Sequence, residues 1–219
     1  MGAWEMNAFE LVKAGGPIMY PILLCSIIAL GIVIEKFTMF NKIHTNIYSF
    51  KKQVIELLKT NKLQEAVRLC DNNFSPVAKI SKAGILKFGR SREEIKEAME
   101  DASHFEIPPL ERRLTTLNTI AQIAPLLGLL GTVTGMTESF HTIQMQASTI
   151  NPVTPGDLAG GIWAALLTTV AGLCVAIPTY VAYNYFVSRV NYFVLEMEKA
   201  ATDLLSILLH LAENRSEVI

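Results

Sequence analysis

The sequence predicts an all-α integral membrane protein with three transmembrane helices and long cytoplasmic helical extensions. Three observations lead there. Apolar residues make up 51% of the chain and the mean hydropathy is +0.34, high for a soluble protein of 219 residues. Residues 14–34, 114–137 and 158–188 contain no Asp, Glu, Lys, Arg or His. Each stretch exceeds the roughly 20 residues, at ~1.5 Å rise, that cross a ~30 Å hydrocarbon layer as a helix. Finally, no stretch of the 35–113 segment alternates apolar and polar residues with a period of two strongly enough to suggest a sheet. A soluble bundle with three core helices is the competing reading, but buried soluble helices seldom run so long without a charge.

Charge sets the expected orientation. Of 19 Lys and Arg, 15 fall within 35–113, one precedes the first span, none lies between the second and third, and three follow the third. Basic residues concentrate on the cytoplasmic side. The segment 35–113 and the C-terminus are therefore expected inside, with the N-terminus and the 138–157 loop facing outward.

The elements follow in order. Residues 1–13 suit a short helix in the outer interface, with Trp4 and Phe9 as anchors. Glu5 and Glu10 there, with Lys13 as the one cation, fit a signal peptide poorly. Gly15, Gly16 and Pro17 turn the chain into the first span, 14–34. The cytoplasmic domain, 35–113, reads as several helices, with capping boxes expected at Asn61 with Gln64 and at Ser91 with Glu94. Phe-Ser-Pro at 74–76 and Gly89 punctuate it. Pro108 and Pro109 are expected in the first turn of a long helix, which becomes the second span, 114–137. The outer loop, 138–157, holds the turn residues Asn151, Pro152, Pro155, Gly156 and Asp157, the last a candidate cap for the third span, 158–188. Beyond Pro178 and Arg189 the C-terminal segment, 189–219, reads as an amphipathic cytoplasmic helix carrying Leu204, Leu205, Leu208 and Leu211.

Several function classes drop out. The segment 35–113 balances 15 basic against 11 acidic residues, too mild an excess to suggest nucleic acid. Cys25, Cys70 and Cys174 are expected as reduced, structural thiols. His44, His104, His141 and His210 lack the spacing of a metal site. Neither a Walker loop nor a nucleophile elbow occurs, so no enzyme and no cofactor is expected. A small-molecule transporter would call for broken helices and internal repeats, and no repeat is visible.

Function is expected in the second and third spans. In APLLGLLGTVTGM, residues 124–136, Gly128, Gly131 and Gly135 share one helical face. Ala165, Thr169, Gly172 and Ala176 form a matching stripe in the third span. Such stripes let backbones approach closely. Thr132 and Thr169 place hydroxyls near the middle of their spans, either bonding back to their own helix or lining a polar seam. Intramembrane ionisable groups mark proton relays, and these spans hold none. A part in proton transport therefore requires another chain to supply the titrating group.

APLLGLLGTVTGM, together with GGIWAALLTTVAGLCVAIPTYVAYNY at residues 160–185, resembles the second and third spans of the MotA/TolQ/ExbB proton-channel family. The layout resembles the ExbB/TolQ branch along the whole chain, most like its ExbB members. The resemblance implies a homopentamer surrounding a single-span partner like ExbD or TolR, whose membrane Asp carries the proton. It also implies coupling of the proton motive force to a periplasm-spanning protein like TonB or TolA, for transport across the outer membrane or, in a TolQ-like role, for envelope maintenance. By position Thr132 and Thr169 match the family's pore-facing threonines, and Pro125 and Pro178 its membrane prolines. The pattern departs at Ala164, just before Ala165 and Leu166, where the family commonly has Glu or another polar residue. Ala164, Ala165 and Thr168 are therefore the pore-facing or altered positions, and Pro125, Gly128, Gly131, Gly135, Gly172 and Pro178 the expected packing residues. A non-conducting membrane scaffold is the alternative reading.

Overall fold

The computed structural model describes residues 8–44, 47–147 and 155–216. Those residues form eight helices and no strand: α1 (Ala8–Ala14), α2 (Met19–His44), α3 (Ile47–Lys59), α4 (Leu63–Asp71), α5 (Pro76–Leu86), α6 (Arg92–Glu111), α7 (Leu114–Ala147) and α8 (Pro155–Ser216). Three helical runs are long and apolar enough to cross a membrane: Met19–Ile43, Arg92–Met145 and Ala159–Ala212. The chain divides into two compact units. Met1–Ile34 with Arg113–Asn184 make the first, and Glu35–Arg112 with Tyr185–Ile219 the second.

In the first unit the chain leaves α1 through Gly16, whose φ of +74° is one that side chains disfavour. Met19 N–H then donates to Gly16 O at 3.2 Å and starts α2. Within the span, Met19, Ile22, Ala29 and Ile32 are buried on one stripe, while Tyr20, Leu24, Ile27 and Leu30 are exposed on the other side. Helices α7 and α8 repeat the pattern, burying small residues and presenting Leu126, Leu129, Val133, Leu166, Val170 and Ile177 outward. An apolar exterior of this kind is what a hydrocarbon solvent calls for.

The second unit has a conventional core. Along α8, Phe186, Val190, Phe193, Met197, Ala200 and Leu204 are buried at alternating spacings of four and three, a helical seam. The Phe40 ring meets Phe186 and Phe193 at centroid distances of 5.7 and 5.5 Å. Ser75 and Ser91 cap α5 and α6, accepting from the N–H groups of Ala78 and Glu94. Cys70 is buried on α4, and its thiol is pushed up to about 12 by that burial, then by the charge of Asp71, with Lys82 opposing.

Three expectations change. Asn61 does not cap α4: it sits at φ +59°, a conformation Asn tolerates, and Lys62 occupies the cap position without a side-chain bond. Pro108 and Pro109 lie inside the last turn of α6 rather than opening a helix, because the Ser91 cap starts that helix much earlier. The chain then breaks at Arg112 and Arg113, the latter at φ +66°. Carbonyls at this helix end are orphaned, and the side chain of Lys36, only 2% exposed, supplies the missing donor. Its Nζ donates to Leu110 O at 2.7 Å and reaches Pro109 O at 3.4 Å. Finally, α7 continues to Ala147 and α8 starts at Pro155, so much of the expected 138–157 loop is helical. No Gly or Pro interrupts 138–147, and the first charge, Glu138, did not mark a helix end. Trp4, Asn151 and Pro152 lie outside the described residues, as does the side chain of Asp157.

Two measurements check these assignments. Lys36→Ala is expected to cost about 2 kcal/mol, the worth of a charge-assisted bond to an otherwise orphaned carbonyl, read as a lower unfolding midpoint in detergent. A thiol moved from 9.0 to about 12 holds roughly a thousandfold less thiolate at pH 8. Maleimide is therefore expected to label Cys70 at least about a hundredfold more slowly in native protein than after denaturation.

Candidate functional site

Helices α7 and α8 meet in the first unit along a seam of small and hydroxyl-bearing residues. A Cβ built on Gly128 falls 3.0 Å from Thr168 O and 3.0 Å from Thr169 Cα, and one on Gly135 falls 3.1 Å from Gly161 O and from Ala165 Cβ. On the other helix, a Cβ on Gly172 falls 2.5 Å from Ala124 O and 3.2 Å from Gly128 Cα. Gly131 faces the Thr168 side chain at a distance that leaves no room for a methyl group. The pairings of Ala124 with Gly172, Gly128 with Thr169 and Gly135 with Ala165 run in opposite chain directions, so the helices are antiparallel. Glycine is required here by close approach, not by backbone conformation.

The threonines divide by role. Thr168 is 1% exposed and donates to Ala165 O at 2.7 Å, with Gly128 O at 3.4 Å. Thr169, half-buried, donates across the seam to Gly128 O at 3.1 Å. Thr132 stands one turn after Gly128, also half-buried, and bonds back to Leu129 O at 2.6 Å. Back-bonding of this kind is the ordinary state of a membrane threonine. The Thr169 bond to the neighbouring helix is the less ordinary one.

Other candidates are placed as follows. Ala165 and Thr168, expected as pore-facing or altered positions, are buried between α7 and α8 of the same chain, whereas Ala164 is half-buried beside them. Pro125 lies inside α7, half-buried, and Pro178 inside α8, exposed. The α8 stripe is centred on Thr168 rather than Thr169, running through Ala165, Thr168, Gly172, Ala176 and Thr179. Sequence reasoning missed Ser139, which is buried, packs where Gly161 lacks a side chain, and donates to Gly135 O at 2.9 Å. Its spacing of four from Gly135, in phase with Gly128 and Gly131, was the available signal. No group of three His, Cys, Asp or Glu is placed to hold a metal among the described residues.

The seam makes a direct prediction. Gly172→Val forces α7 and α8 apart, since even a Cβ meets the Ala124 carbonyl, and overpacking of this order costs about 1–3 kcal/mol. Gly160→Val, where nothing lies within 4 Å, serves as the control. A thermal melt in detergent is expected to drop by several degrees only for the first.

Comparison with known proteins agrees with the arrangement of the spans. Residues 72–199 match the model of the MotA/TolQ/ExbB proton channel family. An ExbB-like biopolymer transport protein of Synechocystis is 33% identical over 173 residues, covering 79% of this chain and 81% of the relative. An ExbB homolog of Methanothermobacter thermautotrophicus is 34% identical over 84% of this chain, which spans 64% of that longer protein. The Tol-Pal system protein TolQ of Pseudomonas aeruginosa is 35% identical over 126 residues, 52% of this chain and 53% of the relative. With a match across more than half its length, joined to three membrane-spanning helices and a glycine and threonine seam between the second and third, the chain belongs to the MotA/TolQ/ExbB proton channel family.

Proposed function

We propose that this protein is the multi-span subunit of a proton-driven motor of the ExbB type. In this reading copies of the chain, five by resemblance, surround a single-span partner like ExbD or TolR, and proton entry through the partner's membrane Asp drives a periplasm-spanning protein like TonB or TolA. The observation that carries the reading is chemical. Spans 14–34, 114–137 and 158–188 hold hydroxyls but no Asp, Glu, Lys, Arg or His, so they can line a proton path without supplying a proton relay of their own. Thr132 and Thr169 are the lining residues, while Gly128, Gly131, Gly135 and Gly172 hold α7 against α8. The basic segment 35–113 lies in the cytoplasm, together with the C-terminus, and the N-terminus faces the periplasm across the inner membrane.

A TolQ-like role in envelope maintenance differs from this only in the protein that is driven. The non-conducting scaffold is a separate reading, and Ala164 favours it by putting a methyl group where the family commonly places a polar one. Vesicles bearing both chains are expected to dissipate a pH gradient, and vesicles bearing this chain alone are not. Dissipation by the isolated chain overturns the proposal. A stable complex that conducts only after Ala164→Glu selects the scaffold.

A further inference from the structure

Phe74, at 91% exposed, shows more of itself than any other large apolar side chain among the described residues. It belongs to the second unit, which buries Phe40, Phe50, Phe186 and Phe193. The loop that carries it, 72–75, is held on both sides. Asn72 N–H donates to Arg68 O at 3.1 Å and Asn73 N–H to Cys70 O at 3.2 Å. Asn73 Oδ1 then accepts from Ser75 N–H at 2.9 Å, and the buried Ser75 hydroxyl accepts from Ala78 N–H at 3.3 Å. Pro76, Val77 and Ala78 are buried directly after it. Residue 74 is therefore fixed with its ring outward, and apolar surface held in water is unfavourable. None of these bonds calls for an aromatic side chain at that position.

The place of the loop supplies a reason for one. Helices α5 and α6 run antiparallel, since Gly84 packs on Met99 while Lys79 Nζ donates to Glu106 Oε1 at 2.8 Å. Phe74 lies five residues before Lys79, and Glu111, the last residue of α6, five after Glu106. At ~1.5 Å per residue the two chains advance together, so the loop stands beside the C-terminal end of α6. Two spans mark that end. Leu114, three residues beyond Glu111, opens the uncharged stretch 114–137. Lys36, two residues past the uncharged stretch 14–34, donates to Leu110 O at 2.7 Å. Both spans thus leave the hydrocarbon near Leu110 to Arg112, where a headgroup layer about 5–8 Å thick begins. Arg112 is exposed there and Arg113 follows it, so cations outnumber Glu111 and suit lipid phosphates. Aromatic rings concentrate at this depth because it is apolar on one side and wet on the other. We propose that the 72–75 loop is a membrane-surface anchor, in which the Phe74 ring inserts among the lipid headgroups and first acyl carbons on the side of the membrane that holds 35–113. The anchor fastens α4 and α5, which are not themselves spans, to the bilayer. It goes beyond the proposed function, since a motor and a non-conducting scaffold would carry it alike.

The test uses the full chain, with any co-purified chain kept in place, in nanodiscs of phosphatidylethanolamine and phosphatidylglycerol. Trp4→Phe and Trp163→Phe clear the background, and Phe74→Trp reports on the loop. With lipids brominated at acyl carbons 6 and 7, Phe74→Trp emission is expected to fall by at least about half, as for an aromatic ring at interface depth. Leu86→Trp is the reference: Leu86 is 64% exposed and lies at the other end of α5, about 18 Å away by helix rise. Its emission is expected to be quenched by aqueous iodide and untouched by bromine. Phe74→Trp emission that iodide quenches as strongly as in Leu86→Trp overturns the inference, because the ring then faces water. Emission shielded from both quenchers overturns it as well, because a protein chain then covers the ring. The unsubstituted protein gives a second reading that no folding defect can disturb. A phospholipid carrying a diazirine near its headgroup is expected to form adducts in the tryptic peptide 69–79. Adducts confined to the spans overturn the anchor.

Discussion

A hydrocarbon layer offers no hydrogen-bond partner, and the first unit is organised around that fact. Backbone amides in an apolar stretch are best consumed inside a helix, and α2, α7 and α8 run unbroken through most of the three spans. Hydroxyls obey the same rule: Thr132, Thr134, Thr137, Ser139, Thr168, Thr169 and Thr179 all donate to backbone carbonyls. Because lipid is as apolar as leucine, burying leucine gains little in the bilayer. The helices instead meet through glycine, where backbones come close enough for dispersion and for a hydroxyl on one helix to reach a carbonyl on the other. Gly128 shows both effects at one residue, lying against Thr169 Cα and accepting from its hydroxyl.

The second unit is packed in a different way. Its core is made of large side chains, with Phe40, Phe186 and Phe193 in contact and Met197, Leu204 and Leu208 continuing the same face of α8. Surface ion pairs such as Lys62 with Glu65 at 3.2 Å and Lys96 with Glu100 at 3.3 Å add little individually. Lys36 is the exception among the charges. Its ammonium is buried because the end of α6 presents carbonyls with no backbone donor, and its four-carbon stem reaches them while its charge sits 5.6 Å from the Phe40 ring centroid. The same helix, α8, thus buries small residues along the part in the first unit and large ones along the part in the second.

The proposed function depends on what the spans lack. A path made only of hydroxyls, carbonyls and apolar groups has no site at which a proton can rest, so a second chain is needed to make it conduct.

Composition and charge distribution by themselves determined the class, the three spans and the α7 glycine face, because a bilayer imposes length, apolarity and absence of charge that are visible residue by residue. The Ser91 cap was legible too, since it depends on residues three apart. Tertiary structure alone decided the rest. Asn61 and Asn-like caps compete with left-handed turns of similar energy, so spacing could not choose between them. Pro108 and Pro109 are compatible with either end of a helix, and it took Lys36, more than seventy residues earlier in the chain, to receive the carbonyls at the end of α6. Which α8 threonine is buried and which stays at the border likewise followed from how α8 is rotated against α7. That rotation is set by contacts between segments distant in sequence, and no local pattern encodes it.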